Sequence, residues 1–175
     1  MTVSTSPNPA ACGQPVVLTA KVDTVPPGGT PVPTGKVTFI VTDDGPALTG
    51  ELDAAGQATV TLSTPLDAGV HQVVGVYSGT SNYLGTGSDL TPLTVTASPT
   101  TTTATAVPDP SSPGQSVNVC AQVTATAPGA GIPTGSVVFT GPGGLSQSVA
   151  VDATGLACFT STSPDPRHGH RHLRR

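Results

Sequence analysis

Apolar and polar residues alternate in short runs along this chain, and one run sets the pattern. After Pro33-Thr34-Gly35, residues Val37, Phe39 and Val41 fall on one side of an extended segment and Lys36 and Thr38 on the other. Side chains of a strand point to opposite faces in turn, so this spacing predicts a strand with one face in a core. The same segment returns as Pro133-Thr134-Gly135-Ser136-Val137-Val138-Phe139, 100 positions later. Further echoes follow at similar offsets. Pro7-Asn8-Pro9 matches Pro108-Asp109-Pro110, Gly13-Gln14 matches Gly114-Gln115, and Ala20-Lys21-Val22 matches Ala121-Gln122-Val123. Asp53-Ala54-Ala55-Gly56 matches Asp152-Ala153-Thr154-Gly155. A period near 100 is too long for a solenoid unit and suits a tandem pair of small domains.

The pattern predicts seven strands in the first copy: A (about Val3–Ser6), B (Val16–Asp23), C (Lys36–Val41), D (about Leu48–Leu52), E (Gln57–Leu62), F (about Val70–Tyr77) and G (Leu90–Thr96). In B, Leu18, Ala20 and Val22 point inward and Thr19 and Lys21 outward; in F, His71, Val73, Gly75 and Tyr77 share a face. A Pro/Gly loop spans Pro26–Pro33, and Asp43-Asp44-Gly45-Pro46 is a turn. The second copy supplies A (about Thr102–Val107), B (Ser116–Thr124), C (Ser136–Thr140), D (about Ser146–Val151) and E (Leu156–Thr160). After Pro164 nothing alternates as strands F and G should. The run Thr100–Thr103 is expected to open strand A of the second copy, because Thr favours strands. Seven short strands with turns at this spacing fit an Ig-like sandwich. The expected fold class is therefore all-β: tandem Ig-like β-sandwiches, the second truncated after strand E.

Composition agrees with many short strands. Gly and Pro number 21 and 19, and charged residues make up 9% of the chain against roughly 25% in an average soluble protein. Aromatics are 3%, so each core is expected to be built from Val, Leu, Ala and a single Phe or Tyr. No apolar run approaches the ~18 residues that would predict a membrane-spanning helix. The charge is uneven. Four of the six basic residues (Arg167, Arg171, Arg174 and Arg175) lie in the last nine positions, leaving Lys21 and Lys36 against all ten acidic residues in 1–166. Such a body should not attract nucleic acid or anionic lipid.

The ordered set Ser6-Pro7-Asn8-Pro9, Gly13-Gln14-Pro15-Val16, Pro33-Thr34-Gly35-Lys36-Val37-Thr38-Phe39, Asp53-Ala54-Ala55-Gly56-Gln57-Ala58 and Val76-Tyr77-Ser78-Gly79 resembles the bacterial Ig-like domain repeats of large secreted and surface proteins. The resemblance covers nearly all of residues 2–164. It implies extracellular tandem spacer or adhesion modules, and it brings no catalytic residues to carry over. A Cys-Trp-Cys core is absent, which sets the chain apart from antibody-type domains.

The candidate chemistry is sparse. Asp43-Asp44, with Asp53 and Asp89, lacks the spacing of a calcium loop and is expected to serve turns. His71 has no Ser, Cys or carboxylate partner at a catalytic spacing and is expected to be a packed strand residue. No nucleophile, zinc or phosphate motif occurs, so no cofactor is expected and the chain is expected not to be an enzyme. Cys120 and Cys158 align with Thr19 and Thr59, outward positions of strands B and E. Those strands are antiparallel neighbours in an Ig-like sandwich, so the two thiols can reach disulfide distance; the alternative is two free thiols in place of threonines. Cys12 has no partner in this scheme. His168, His170 and His172 would bind a transition metal in a test tube without implying a biological metal site.

The chain is thus expected to hold a complete Ig-like repeat in 1–97, an incomplete one in 98–164 and an unlike basic, His-rich tail in 165–175. Met1-Thr2-Val3 shows no leader pattern, which suits a piece of a longer protein. The expected function is a non-catalytic extracellular structural, spacer or adhesion module, secreted or at the cell surface. The alternatives are a ligand- or glycan-binding module and an accessory domain of a secreted hydrolase. Expected partners are adjacent Ig-like repeats, with a cell-surface protein or glycan as a further class; exposed aromatics for sugar stacking are few, Tyr77 and Tyr83 alone. The break in composition at Asp165 suggests a frame-shifted reading of strand F. If the histidines are CAC codons, reading one nucleotide later turns each into Thr, and an alternating strand ending in Tyr results.

Overall fold

The computed structural model describes residues 1–24, 32–42, 45–141 and 144–162. The part of the Pro26–Pro33 loop before Val32, the Asp43-Asp44 pair and the 165–175 tail lie outside them. By its contacts the chain divides into two compact units. The first holds Met1–Ser98 with Ala127–Ala130, and the second holds Pro99–Thr126 with the described residues from Gly131 onward. Among the described residues all regular structure is strand, apart from a few bends and turns.

In the first unit β1 (Thr2–Ser6), β3 (Val16–Lys21) and β6 (Gln57–Leu62) form one antiparallel sheet in the order β1-β3-β6. The second sheet runs β2-β9-β7-β4-β5, from β2 (Ala10–Ala11), β9 (Thr91–Thr96), β7 (Gly69–Tyr77), β4 (Lys36–Val41) and β5 (Ala47–Glu51); β8 (Thr86–Gly87) adds to β7. The first strand therefore splits at the Pro7-Asn8-Pro9 corner. Its first half pairs with β3 and its second, Ala10–Ala11, runs parallel to Val95–Thr96 on the other sheet. The Asn8 side chain holds this crossing: it donates to the Pro92 carbonyl at 2.7 Å and accepts from the Thr94 amide at 3.0 Å. The fourth predicted strand, β5, pairs with β4 and not with β6.

The alternation does what the sequence predicts. Leu18 and Ala20 of β3, with Val22 just beyond its end, meet Val37, Phe39, Val41, Val73, Tyr77 and Leu93 of the other sheet, all buried, and His71 is the one buried polar side chain among the described residues. Phe39 faces Gly75 across the β4–β7 ladder. A Cβ at Gly75 would lie 2.8 Å from Val3 Cγ2, so glycine lets β1 close over the sheet at this point. Tyr77 fills the end of the core and donates its hydroxyl to the Thr34 carbonyl at 2.7 Å. That bond satisfies the one polar atom the ring carries into the interior. Gly35, after Thr34, has φ +114°, a conformation L side chains rarely adopt, which explains why the Pro-Thr-Gly turn ends in glycine.

In the second unit β10 (Thr100–Val107), β11 (Ser116–Ala125) and β14 (Leu156–Thr162) form a sheet in the order β10-β11-β14, and β12 (Ser136–Gly141) pairs with β13 (Leu145–Ala150). The threonine run is strand, joined across the ladder by Thr101 Oγ1 and Thr124 Oγ1, 2.9 Å apart. Local structures of the first unit recur here. The Gln14 side chain accepts the Ala11 amide at 2.9 Å and that of Gln115 accepts the Ser112 amide at 2.7 Å. Gly135 repeats the positive φ of Gly35, at +115°. The packing does not recur. Val117, Ala121 and Ala157 are the buried apolar residues of this unit, while Val137, Phe139 and Phe159 remain part-exposed. Phe139 and Phe159 meet as a tilted pair with ring centroids 4.9 Å apart.

This difference predicts unequal costs for one substitution. Phe39→Ala removes a side chain of 0% exposure and should lower stability by about 3–5 kcal/mol. Phe139→Ala should cost less than half of that, because its ring already meets solvent. Urea unfolding, followed by amide signals of β3 and β11 separately, checks both.

Candidate functional site

His71 sits in β7 and is 8% exposed. Its Nε2 lies 2.9 Å from the Asp67 carbonyl, so the Nε2–H tautomer donates to the loop before its own strand. Nδ1 is buried with no hydrogen-bond partner. This is a packed residue tying down a loop. Asp89 lies in the segment before β9, and no group of three or more His, Cys, Asp or Glu side chains able to hold a metal occurs among the described residues. The Asp43-Asp44 pair and the histidines 168, 170 and 172 fall outside those residues.

Asp53 serves its turn. Its Oδ1 accepts the Ala55 amide at 2.8 Å and the Gln57 amide at 2.9 Å, closing the turn between β5 and β6. These two amides, Gln57 first, hold its carboxyl below the usual carboxylate range, with a smaller contribution from Lys21. Asp152 repeats the clamp between β13 and β14, accepting from the Thr154 hydroxyl at 2.6 Å, the Thr154 amide at 2.7 Å and the Leu156 amide at 3.0 Å. Its carboxyl is lowered by the Thr154 hydroxyl first, then by the Leu156 and Thr154 amides.

Cys120 and Cys158 face each other across the β11–β14 ladder and are joined by a disulfide, with Cα atoms 4.1 Å apart. Val123 donates to the Gly155 carbonyl in this ladder, so Cys120 and Cys158, three positions along in register, form a non-hydrogen-bonded pair. Such pairs bring Cα atoms to about 4.5 Å, closer than hydrogen-bonded ones. Thr19 and Thr59 hold the equivalent position in the first unit. Cys12 is a free, half-buried thiol whose Sγ donates to the Leu66 carbonyl at 3.4 Å.

A cavity of about 790 Å³ in the first unit was not foreseen from the sequence. It opens at the end of the sandwich where Val22–Thr24, Val32–Thr34 and Asn82–Thr86 come together beside Met1 and Tyr77. The sequence placed Val22 and Asp23 at the end of strand B and Val32–Thr34 in a loop and turn, and such ends meet in space without any periodic signal. Asp23 is its one acidic or basic side chain, and Lys21 Nζ lies 3.6 Å from that carboxylate. Tyr77 is committed to Thr34, while Leu84 stands almost fully in solvent. The cavity offers a mixed polar and apolar surface without the matched acid and base that proton-transfer catalysis uses.

Two outcomes follow from these clamps and bonds. The folded-state carboxyls of Asp53 and Asp152 lie below their unfolded value of about 3.9, so their contribution to stability is present above that value and is lost as pH falls through the folded one. Melting temperature should therefore hold from pH 7 to about 5 and fall below about 4, with a shallower acid slope in the Asp53→Asn, Asp152→Asn double variant; a slope unchanged by the double substitution would contradict this. The disulfide spans 38 residues. Its reduction should destabilise the second unit by about 3–4 kcal/mol in the chain-entropy account and leave the first unit's melt unchanged.

No curated protein matches this chain. Residues 3–98, more than half of its length, match the family of bacterial Ig-like domains (group 3). The sandwich of β1 to β9, closed on Phe39 and Tyr77, is thus the sandwich of a known module, and the chain belongs to the bacterial Ig-like domain family.

Proposed function

We propose that this protein is a non-catalytic extracellular module, a spacer or adhesion element that works as part of a tandem Ig-like array. Bacterial Ig-like domains are in general non-catalytic modules and are often extracellular. The observation that carries the reading is where the polar chemistry goes. Asp53, Asp152, Gln14, Gln115, Asn8 and the Tyr77 hydroxyl all hold turns, crossings or strand ends in place. The same turn devices in both units, near a 100-residue period, support a repeated module whose task is to be a stable link. On this reading 98–164 is a second, incomplete repeat, the neighbouring repeats of the parent array are the immediate partners, and the protein acts outside the cell, secreted or on the surface. The disulfide is compatible with an oxidising compartment.

A spacer must transmit force without unravelling. Pulled from its two ends in optical tweezers, the chain should give one cooperative unfolding step of about 30 nm for residues 3–98, the length of that many extended residues. A gradual extension with no step would remove the spacer reading. Saturable binding on a glycan array, lost in Leu84→Asp at the loop-end cavity, would favour the binding-module reading instead.

A further inference from the structure

We propose that the second unit accepts an extended peptide strand with apolar side chains at alternate positions, laid along the open edge of β12 in the place β7 takes beside β4. The proposal stands on the backbone and surface of this unit and holds whether or not the chain is a spacer.

The edge is defined by the direction of backbone groups. In the first unit Ser78 donates to the Lys36 carbonyl and Thr42 to the Gln72 carbonyl, so the even-numbered residues of β4 aim their N–H and C=O groups at β7. The odd-numbered ones aim at β5, as Leu52 donating to the Gly35 carbonyl shows. In the second unit Val151 donates to the Gly135 carbonyl, so odd-numbered residues of β12 serve β13. The even-numbered Val138 and Thr140 therefore aim at the opposite side, where no described strand pairs with β12. An unpaired edge of this kind is a template for strand addition.

The surface beside the edge has the matching chemistry. A groove of about 280 Å³ is lined by Val117, Val119, Phe139, Leu145 and Phe159, with Ser and Thr at its rim and no charged side chain. Phe39, the equivalent of Phe139, is wholly buried where β7 and β9 complete its sheet. The first unit thus shows what covers such a face: a strand that places a small residue opposite the ring, as Gly75 does opposite Phe39, and an aromatic one opposite the preceding valine, as Tyr77 does opposite Val37. Residues 163–175 do not have that character, since they hold no Val, Ile, Phe or Tyr and a single Leu, Leu173, among four Arg and three His. The occupant is a neutral, alternately apolar strand of the β7 kind from another polypeptide segment.

The test titrates the full chain into a fluorescein-labelled peptide with the sequence of β7, Gly69–Tyr77, beside a control peptide carrying Asp at the positions of Val73 and Tyr77. Saturable one-to-one binding of the first peptide alone is expected. Val138→Pro should weaken it at least ten-fold, because proline removes an N–H from the open edge and none from the β12–β13 ladder. Retained protection of the Val137 and Phe139 amides in that variant shows the hairpin is intact. No binding up to about 1 mM peptide, or equal binding of both peptides, overturns the proposal. So does dimerisation through β12 that the peptide leaves untouched, which assigns the edge to a second copy, and so does binding seen only after deletion of residues 163–175, which assigns it to the tail.

Discussion

The pairing of β4 with β7 is the constraint on which the first unit depends. It places Phe39 against Gly75 and Val37 against Tyr77, in the middle of the larger sheet. Because Gly75 has no side chain, Val3 of the opposite sheet can approach, and the two layers close over a core with few rings. Tyr77 then ties the end of that core to the Pro-Thr-Gly turn through Thr34. A chain with 3% aromatic residues cannot rely on ring area for stability. It relies on small and branched residues that interdigitate closely, which only a complete pair of sheets allows.

In the second unit no described strand makes the equivalent pairing beside β12. Its turns and clamps match those of the first, from Gln115 to Gly135 to Asp152. Local hydrogen bonding therefore does not depend on that pairing. Burial does: Phe139 and Phe159 touch each other yet stay part-exposed, and the deep positions are held by Ala121, Ala157 and Val117. The disulfide lies on the outer face of the β11–β14 ladder. It adds a covalent limit on the unfolded chain where burial is thin, without using core volume.

Much of this was legible in the sequence because strand alternation is a local signal. Val37, Phe39 and Val41, or His71, Val73 and Tyr77, declare their faces by spacing alone, and the Thr100–Thr103 run declared itself as strand by propensity. The near-exact register of Cys120 and Cys158 followed from aligning the two copies. What was not legible depends on non-local choices. Two residues, Ala10 and Ala11, carry no periodicity, so their switch to pair with Val95 and Thr96 is visible only once Asn8 bridges to Pro92 and Thr94. The pairing of β5 with β4 depends on which neighbour a short strand meets. The loop-end cavity is built from three stretches that share nothing but position, and the role of Asp53 as a double amide acceptor appears only when the turn is closed.

Amide hydrogen exchange distinguishes a closed ladder beside β4 from an open edge beside β12. Thr38 and Ile40 donate into the β4–β7 ladder, while Val138 and Thr140 hold the same positions on an edge that no described strand covers. The account predicts that the Val138 and Thr140 amides exchange at least a hundred-fold faster than those of Thr38 and Ile40, with the Val137 and Phe139 amides protected by β13. Equal, strong protection at Val138 and Thr140 in the isolated chain would contradict it, because the second sheet would then be closed as the first one is.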